Sequence, residues 1–315
     1  MKILALAGGV GGAKLAHGLA QILPPEDLTI VVNTGDDFEH FGLYISPDLD
    51  TVCYTLAGLA NPVTGWGRAD ETWYALENLR ALGAPDWFAL GDRDLATHLE
   101  RTRRLKAGEP LSQITRDFCK AWGVKHTVLP MSDDPVRTMV DTLEYGELPF
   151  QEYFVKQRCE PRVKGFRFAG IESARPAPGV MEALRNADAL VICPSNPWVS
   201  IDPILAVLHP SSFILHPSVA ISPIIGGRAV KGPAAKMFAE LGLEPSALAV
   251  AEHYRGLLTG FVLDTTDAEQ ADDIQRLGIR PYIADTLMKT LSDRPRLAQD
   301  VLNFIRSITP EHRNT

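Results

Sequence analysis

The sequence predicts an α/β fold: a Rossmann-like, mainly parallel sheet with helices on both faces and a helix-rich insertion. Two observations carry this. The N-terminus reads strand, glycine turn, helix, strand, and a rhythm of short apolar runs and helical stretches returns after residue 180. In order, residues 2–7 form a short apolar run ending at Gly8-Gly9. Residues 13–22 place Leu15, Leu19 and Ile22 on one helical face, and Pro24-Pro25 stops that helix. Residues 28–32 are a second, β-branched run. A right-handed crossover makes the two strands parallel.

The stretch that follows is mostly helical, with helices expected over 51–59, 72–82, 95–107 and 112–121. Residues 125–129 read as a strand. Residues 138–170 are ambiguous, with alternating stretches at 138–143 and 162–169. Further on, 180–186 reads as helix and 189–193 as a buried strand. Strands at 219–221 and 261–263 accompany helices at 234–241 and 268–277, and Thr266 with Glu269 has capping-box spacing. Residues 295–308 form an amphipathic helix. No repeat, linker or low-complexity tract divides the chain. Residues 1–315 therefore read as a single composite α/β domain with a helical insertion at about 50–122.

A chain of 315 residues with 45% hydrophobic and 22% charged residues can bury a full core. Its net charge of −8 argues against general nucleic-acid binding, because no basic excess meets phosphates. The cysteines Cys53, Cys119, Cys159 and Cys193 form no CxxC pair and read as small buried residues. The first apolar run is too short for a signal or a membrane segment. A cytoplasmic protein without a membrane partner is expected.

Six segments carry chemistry. Gly8-Gly9-Val10-Gly11-Gly12-Ala13-Lys14 lets backbone N–H groups and a helix dipole approach a phosphate. It is neither a Walker loop nor a clean dinucleotide fingerprint, since Ala13 precedes Lys14 and no third small residue closes the pattern. Asn33-Thr34-Gly35-Asp36-Asp37 ends the second strand, and two adjacent acids suit a metal or a hydroxyl better than one ribose. Ser46-Pro47-Asp48-Leu49-Asp50-Thr51 opens a helix. Asp48 or Asp50 alone would read as an N-cap. Together with Asp36 and Asp37 they put four carboxylates within fifteen residues, a donor set for Mg2+. Gly91-Asp92-Arg93-Asp94, followed by Thr97 and His98, holds an arginine between carboxylates for bidentate contact with a ligand. Pro194-Ser195-Asn196-Pro197 and Ser222-Pro223-Ile224-Ile225-Gly226-Gly227, with Lys231 soon after, follow strands and belong at one crevice. Taken singly, each segment also has a bland reading as a turn, a cap or a surface ion pair.

With Met131-Ser132-Asp133-Asp134-Pro135, these segments run in order through residues 3 to about 290, and in that order the chain resembles the 2-phospho-L-lactate transferase family of deazaflavin coenzyme biosynthesis. The resemblance implies transfer of a 2-phospholactyl or enolpyruvyl-phosphate group from a guanosine diphospho donor to the ribityl hydroxyl of the deazaflavin alcohol Fo, with GMP leaving. It assigns Gly9, Val10, Gly11, Gly12, Lys14, Ser195 and Asn196 to the nucleotide. Asp50 and Arg93, with Asp92, Thr97 and His98, fall to the acceptor. Asp36, Asp37, Asp48 and Asp50 are the metal candidates, and Asp50 and Asp37 the catalytic ones. A homodimer is implied as well. Two departures stand out: a first loop without threonine, and the stretch 209–216, which differs from the charged helix of the family. Two rivals stay open at this point. One is a non-enzymatic nucleotide-sugar-binding regulator of the same fold, which would lack the Pro47–Thr51 and Gly91–Asp94 segments. The other is a nicotinamide oxidoreductase, which Lys14 disfavours.

Overall fold

The computed structural model describes residues 1–209 and 216–309. The chain runs β1 (Ile3–Ala7), α1 (Gly9–Ile22), β2 (Leu28–Val32), the hairpin β3 (Phe38–His40) and β4 (Leu43–Ile45), then helices α2 (Pro47–Leu56), α3 (Tyr74–Ala81), α4 (Asp92–Lys106) and α5 (Leu111–Ala121). It continues through β5 (Thr127–Pro130), β6 (Arg137–Thr142), β7 (Gly146–Pro149), β8 (Val163–Ala169), α6 (Val180–Asn186), β9 (Ala189–Ile192) and α7 (Asp202–Leu208). The last part holds β10 (Ser218–Ile221), β11 (Ile224–Ile225), β12 (Arg228–Ala229), α8 (Ala234–Glu240), α9 (Ala247–His253), β13 (Gly260–Asp264), α10 (Ala271–Arg276), β14 (Arg280–Ala284) and α11 (Asp293–Ile308).

Seven strands form one sheet in the order β14-β13-β10-β9-β1-β2-β5, every pair parallel. Its strands are apolar on both faces, as a doubly covered parallel sheet requires. Leu4, Leu6, Val31, Leu190 and Ile192 pack with α6, α7, α8 and α9 on one side. Ile3, Ala5, Ala7, Ile30 and Val191 pack with α1, α2, α5 and α11 on the other. From β1 the chain builds outward through β2 and β5, then returns to β9 and builds the other way. The connections after β1 and β9 therefore part at their carboxyl ends and leave a crevice, the place where such sheets bind ligands. Among the described residues no helix is long and apolar enough to cross a membrane.

Several expectations shift. Helix α2 begins at Pro47, several residues earlier than read, because proline suits a first helical position and Asp48 and Asp50 fall in the first turn. Helix α4 begins at Asp92, so Arg93 also lies in a first turn. The ambiguous 138–170 stretch is an antiparallel sheet, β7-β6-β8, with a register shift at Asp141/Thr142. The capping box at Thr266 is absent: Asp264 caps instead, its Oδ1 accepting the Thr266 N–H at 2.9 Å, and the helix is split into a 3-10 turn and α10. Helices α7 and α9 and strand β14 carry no clear signal in the sequence. Pro281 hides β14 from strand reading, and it is tolerated because β14 is a sheet edge. The departure at 209–216 falls largely on positions 210–215, outside the described residues.

Helices α1 and α11 meet backbone to backbone at Gly18, where an added Cβ would lie 2.2 Å from the Arg294 carbonyl oxygen. Gly to Ala in a helix ordinarily stabilises by about 1 kcal/mol. Here the contact reverses the sign. Gly18→Ala is expected to lower stability by about 1–3 kcal/mol, read as a lower urea midpoint. A midpoint at or above that of the wild type would show that the helices have room to part.

Candidate functional site

The two loops at the crevice interlock. Gly8 is extended and Gly9 turns to φ +61° to start α1. The Ser195 hydroxyl accepts the Gly8 N–H at 3.2 Å and donates to the Gly8 carbonyl at 2.8 Å. A Cβ on Gly11 would lie 2.2 Å from the Pro194 carbonyl oxygen, and one on Gly12 would lie 2.5 Å from Ser195 Oγ. Gly11 and Gly12 are thus required first by the neighbouring loop. The Gly9 N–H donates to Asp48 Oδ1 at 2.7 Å, so a protein carboxylate already takes part of the positive helix start. The Val10 and Gly11 N–H groups have no acceptor outside their own helix among the described residues. Asn196 is occupied too: its Oδ1 accepts the Trp198 N–H at 3.1 Å and its Nδ2 contacts Met237 Sδ at 3.3 Å.

Beside this lies a carboxylate floor. Asn33 Nδ2 donates to Asp48 Oδ2 at 2.9 Å and to the Val199 carbonyl at 3.1 Å, while its Oδ1 accepts the Gly35 N–H at 2.8 Å. Asp37 Oδ2 accepts from Ser46 Oγ at 2.9 Å. Asp36 Oδ1, Asp37 Oδ1, Thr34 Oγ1 and Thr138 Oγ1 are buried without a partner. Burial, then the nearby Asp48 charge, holds the Asp36 carboxyl well above its usual range. Burial pushes Asp37 up to about 7 in spite of Arg137 and Arg101. Burial also raises Asp48. Buried acids with free oxygens are a fitting donor set for a divalent cation, which would supply the missing partner. Asp36, Asp37, Arg137 and Thr138 line a cavity of about 270 Å³ that also has the aromatic rings of Phe38 and Trp87 in its wall.

Asp50 has a different setting. Arg101 holds both of its oxygens, Nη1 to Oδ2 at 3.0 Å and Nη2 to Oδ1. Arg101 Nη1 is also 3.2 Å from His98 Nδ1, and His98 Nε2 is 3.4 Å from Asp94 Oδ1. Asp94 Oδ1 accepts from the Tyr54 hydroxyl at 2.7 Å, and Thr97 Oγ1 lies 2.8 Å from that hydroxyl. Asp50, Asp94 and His98 offer ligand atoms within 4.8 Å of one another. The Arg101 guanidinium already fills that cluster, so it suits a hard cation less well than the Asp36–Asp37 floor.

The second acidic segment is mostly architectural. Asp92 accepts from Thr72 Oγ1 at 2.6 Å and from the Tyr74 and Ala75 N–H groups at 3.1 and 3.0 Å. Glu71 takes the Arg93 and Asp94 N–H groups, both at 2.8 Å. The Arg93 side chain, 54% exposed, reaches Ala69 and Asp70 and is not gripped by Asp92 or Asp94. Nor does any contact join it to Asp50 among the described residues. In the Met131–Pro135 segment, Asp133 holds the start of α5 through Ser112 and Asp134 holds the Arg175 N–H. Cys159 is only half-buried, whereas Cys53 and Cys119 touch, with sulfurs 3.6 Å apart.

Cations lie beside these loops, and of them Arg294 and Arg101 have no signal of their own in the sequence. Lys14 Nζ donates to the Met288 carbonyl at 2.7 Å, and burial, Arg294 and then Lys231 lower its pKa. Lys231 reaches the Thr64 carbonyl, beside Gly65 and Val10. Arg294 Nε is buried without a partner, and burial together with Arg294 lowers His17 to about 4. Three cations crowd together here, with Asp293 the one acid acting on Lys14. Arg101 sits in Glu100-Arg101-Thr102-Arg103-Arg104, which reads as a solvated helix face, and only its 2% exposure sets it apart.

Residues 3–302 match the model of the family 2-phospho-L-lactate transferase CofD. The chain belongs to this family. It is a phosphotransferase, with a transferase role in biosynthesis of the deazaflavin coenzyme. It is 45% identical to a phosphoenolpyruvate transferase of Streptomyces griseus over 98% of this chain and 99% of the relative. A Mycobacterium sp. (strain KMS) phosphoenolpyruvate transferase is 42% identical over 87% and 91%. In shape the chain is similar to a Bacillus halodurans protein of the UPF0052 family, with a TM-score of 0.62 at 15% identity, covering 96% of this chain and 98% of that one. That likeness shows the fold alone.

In this CofD-family transferase, Asp36 is buried against like charge with one oxygen unpartnered, a cost retained in the fold. Asp36→Asn keeps the shape and can donate to Asp48. Its thermal stability in chelator should rise, by about 0.5–2 kcal/mol. A fall would mean that the carboxyl has a stabilising partner within the protein.

Proposed function

We propose that the protein transfers a 2-phospholactyl or enolpyruvyl-phosphate group from a guanosine diphospho donor to the ribityl hydroxyl of the deazaflavin alcohol Fo (7,8-didemethyl-8-hydroxy-5-deazariboflavin), releasing GMP. The observation that carries this reading is the pair of buried, unpartnered oxygens on Asp36 and Asp37 beside an aromatic-walled cavity and a helix start with free N–H groups. That the Streptomyces and Mycobacterium relatives are phosphoenolpyruvate transferases favours the enolpyruvyl donor.

In this reading the Val10 and Gly11 N–H groups, with Lys14, Lys231 and Arg294, receive the diphosphate. The ribityl oxygen bonds to the distal phosphorus as the bond from that phosphorus to the bridging oxygen breaks, GMP leaves with that oxygen, and the hydroxyl proton passes by way of Asp50 to water. Such transfer is mostly positioning and charge stabilisation. Asp36 and Asp37, with Asp48 near them, would hold Mg2+, which when bound neutralises the diphosphate. Asp50 accepts the hydrogen bond of the attacking hydroxyl. Phe38 and Trp87 offer flat faces to a planar heteroaromatic ring.

Mass spectrometry of the product formed from Fo with each donor tests the reaction. The expected product is a phosphodiester of Fo, with GMP released in equal amount. Chelation should stop turnover and Mg2+ restore it. Asp37→Asn should lower kcat by about 10²-fold or more. Undiminished turnover in chelator would remove the metal from the proposal, and the absence of any Fo ester would remove the reaction.

A further inference from the structure

We propose that Arg101 is a positioning residue, which fixes Asp50 in the orientation that receives the acceptor hydroxyl; this rests on the reading of Asp50 as acceptor-binding. Arg101 comes from α4 and Asp50 from α2, so the pair joins the helical insertion to the helix that also carries Asp48. Both side chains are buried, and the guanidinium grips the two carboxylate oxygens as a fork. Each oxygen keeps further lone-pair capacity, but the plane of the carboxylate is set by the arginine.

Stability does not explain the choice. A buried ion pair is often replaced by apolar side chains without loss. Geometry does explain it. Nη1 is shared among Asp50 Oδ2 at 3.0 Å, His98 Nδ1 at 3.2 Å and the Tyr44 carbonyl at 3.4 Å. A guanidinium only donates, so His98 Nδ1 accepts and the ring proton belongs on Nε2, which lies 3.4 Å from Asp94 Oδ1 without an aligned hydrogen bond to it. Arg101 thereby sets the Asp50 carboxylate and the His98 tautomer together, and Asp94 and Tyr54 extend the same network. Lysine at this position would keep the charge and lose the fork.

The test is steady-state kinetics of Arg101→Lys, Arg101→Ala, Asp50→Asn and the Asp50→Asn/Arg101→Lys double variant. Fo and the guanosine diphospho donor are varied in turn with Mg2+ present, and thermal midpoints are measured in parallel. Arg101→Lys should fold, lose about 10–100-fold in kcat/KM for Fo and keep the donor KM. The double variant should lose no more than Asp50→Asn alone, because the two residues act as one unit. Added guanidinium ion should restore part of the activity of Arg101→Ala and none of that of Asp50→Asn. The proposal is overturned by unchanged kcat/KM for Fo in Arg101→Lys, by losses that multiply in the double variant, or by equal losses toward donor and acceptor. An Arg101→Lys chain that no longer folds would make the residue a structural tie and overturn it too. Wild-type protein that turns over neither donor with Fo would fail the transfer reading itself; active wild type with an indifferent Arg101 would fail this inference alone.

Discussion

The hydrogen bonds of Asn33 and Asp48 hold the rest of the site in place. Asp48 reaches the Gly9 N–H at the start of α1, Asn33 ends β2, and Asn33 also binds the Val199 carbonyl beyond β9. One buried amide and one buried carboxylate therefore tie together four segments that the sheet delivers separately to its carboxyl edge. Hydrogen bonds to a charged group contribute about 1.5–3 kcal/mol each. Leaving either partner alone in this dry setting would cost at least as much. The glycines follow from the same constraint, because a Cβ on Gly8 would lie 2.5 Å from Asp48 Oδ2.

The carboxylates near this hub divide into two kinds. Asp50 is bound by Arg101, and the network beyond it runs to His98, Asp94 and Tyr54. Asp36 and Asp37 each keep an oxygen with no partner, and burial raises both pKa values. The first kind is rigid and satisfied within the protein. The second is poised for something from outside it. Asp50 thus finds its partners within the protein, while Asp36 and Asp37 each keep room for one more.

The family relationship and the fold likeness carry different weight. Identity of 45% along nearly the whole length shows the family and its transferase role. A TM-score of 0.62 at 15% identity shows only that one sheet topology tolerates very different side chains. At the switch point of that sheet this chain brings Arg294 and Lys231 close enough to Lys14 to lower its pKa.

The parallel sheet, its first βαβ unit and the positions of the glycine and acidic segments were legible in the sequence, because apolar period and punctuation are local properties. So was the nearness of Asp36 to Asp48, but Asp50, grouped with them as a fourth carboxylate, is set apart on Arg101. The partners of each acid were not. Arg101 and Arg103 are two residues apart on one helix, yet one is buried on Asp50 and the other lies in solvent on Glu100. Arg93 looked gripped by its neighbours, whereas the turn gives those carboxylates backbone N–H groups and the Tyr54 hydroxyl instead. Strand β14 and the hairpin β3–β4 also escaped notice, since an edge strand with Pro281 and a six-residue hairpin pair have weak periodicity. Sequence determined which residues could carry charge to the crevice. Only the tertiary structure decided which charges were neutralised there, because burial and pairing depend on helices brought together from distant parts of the chain.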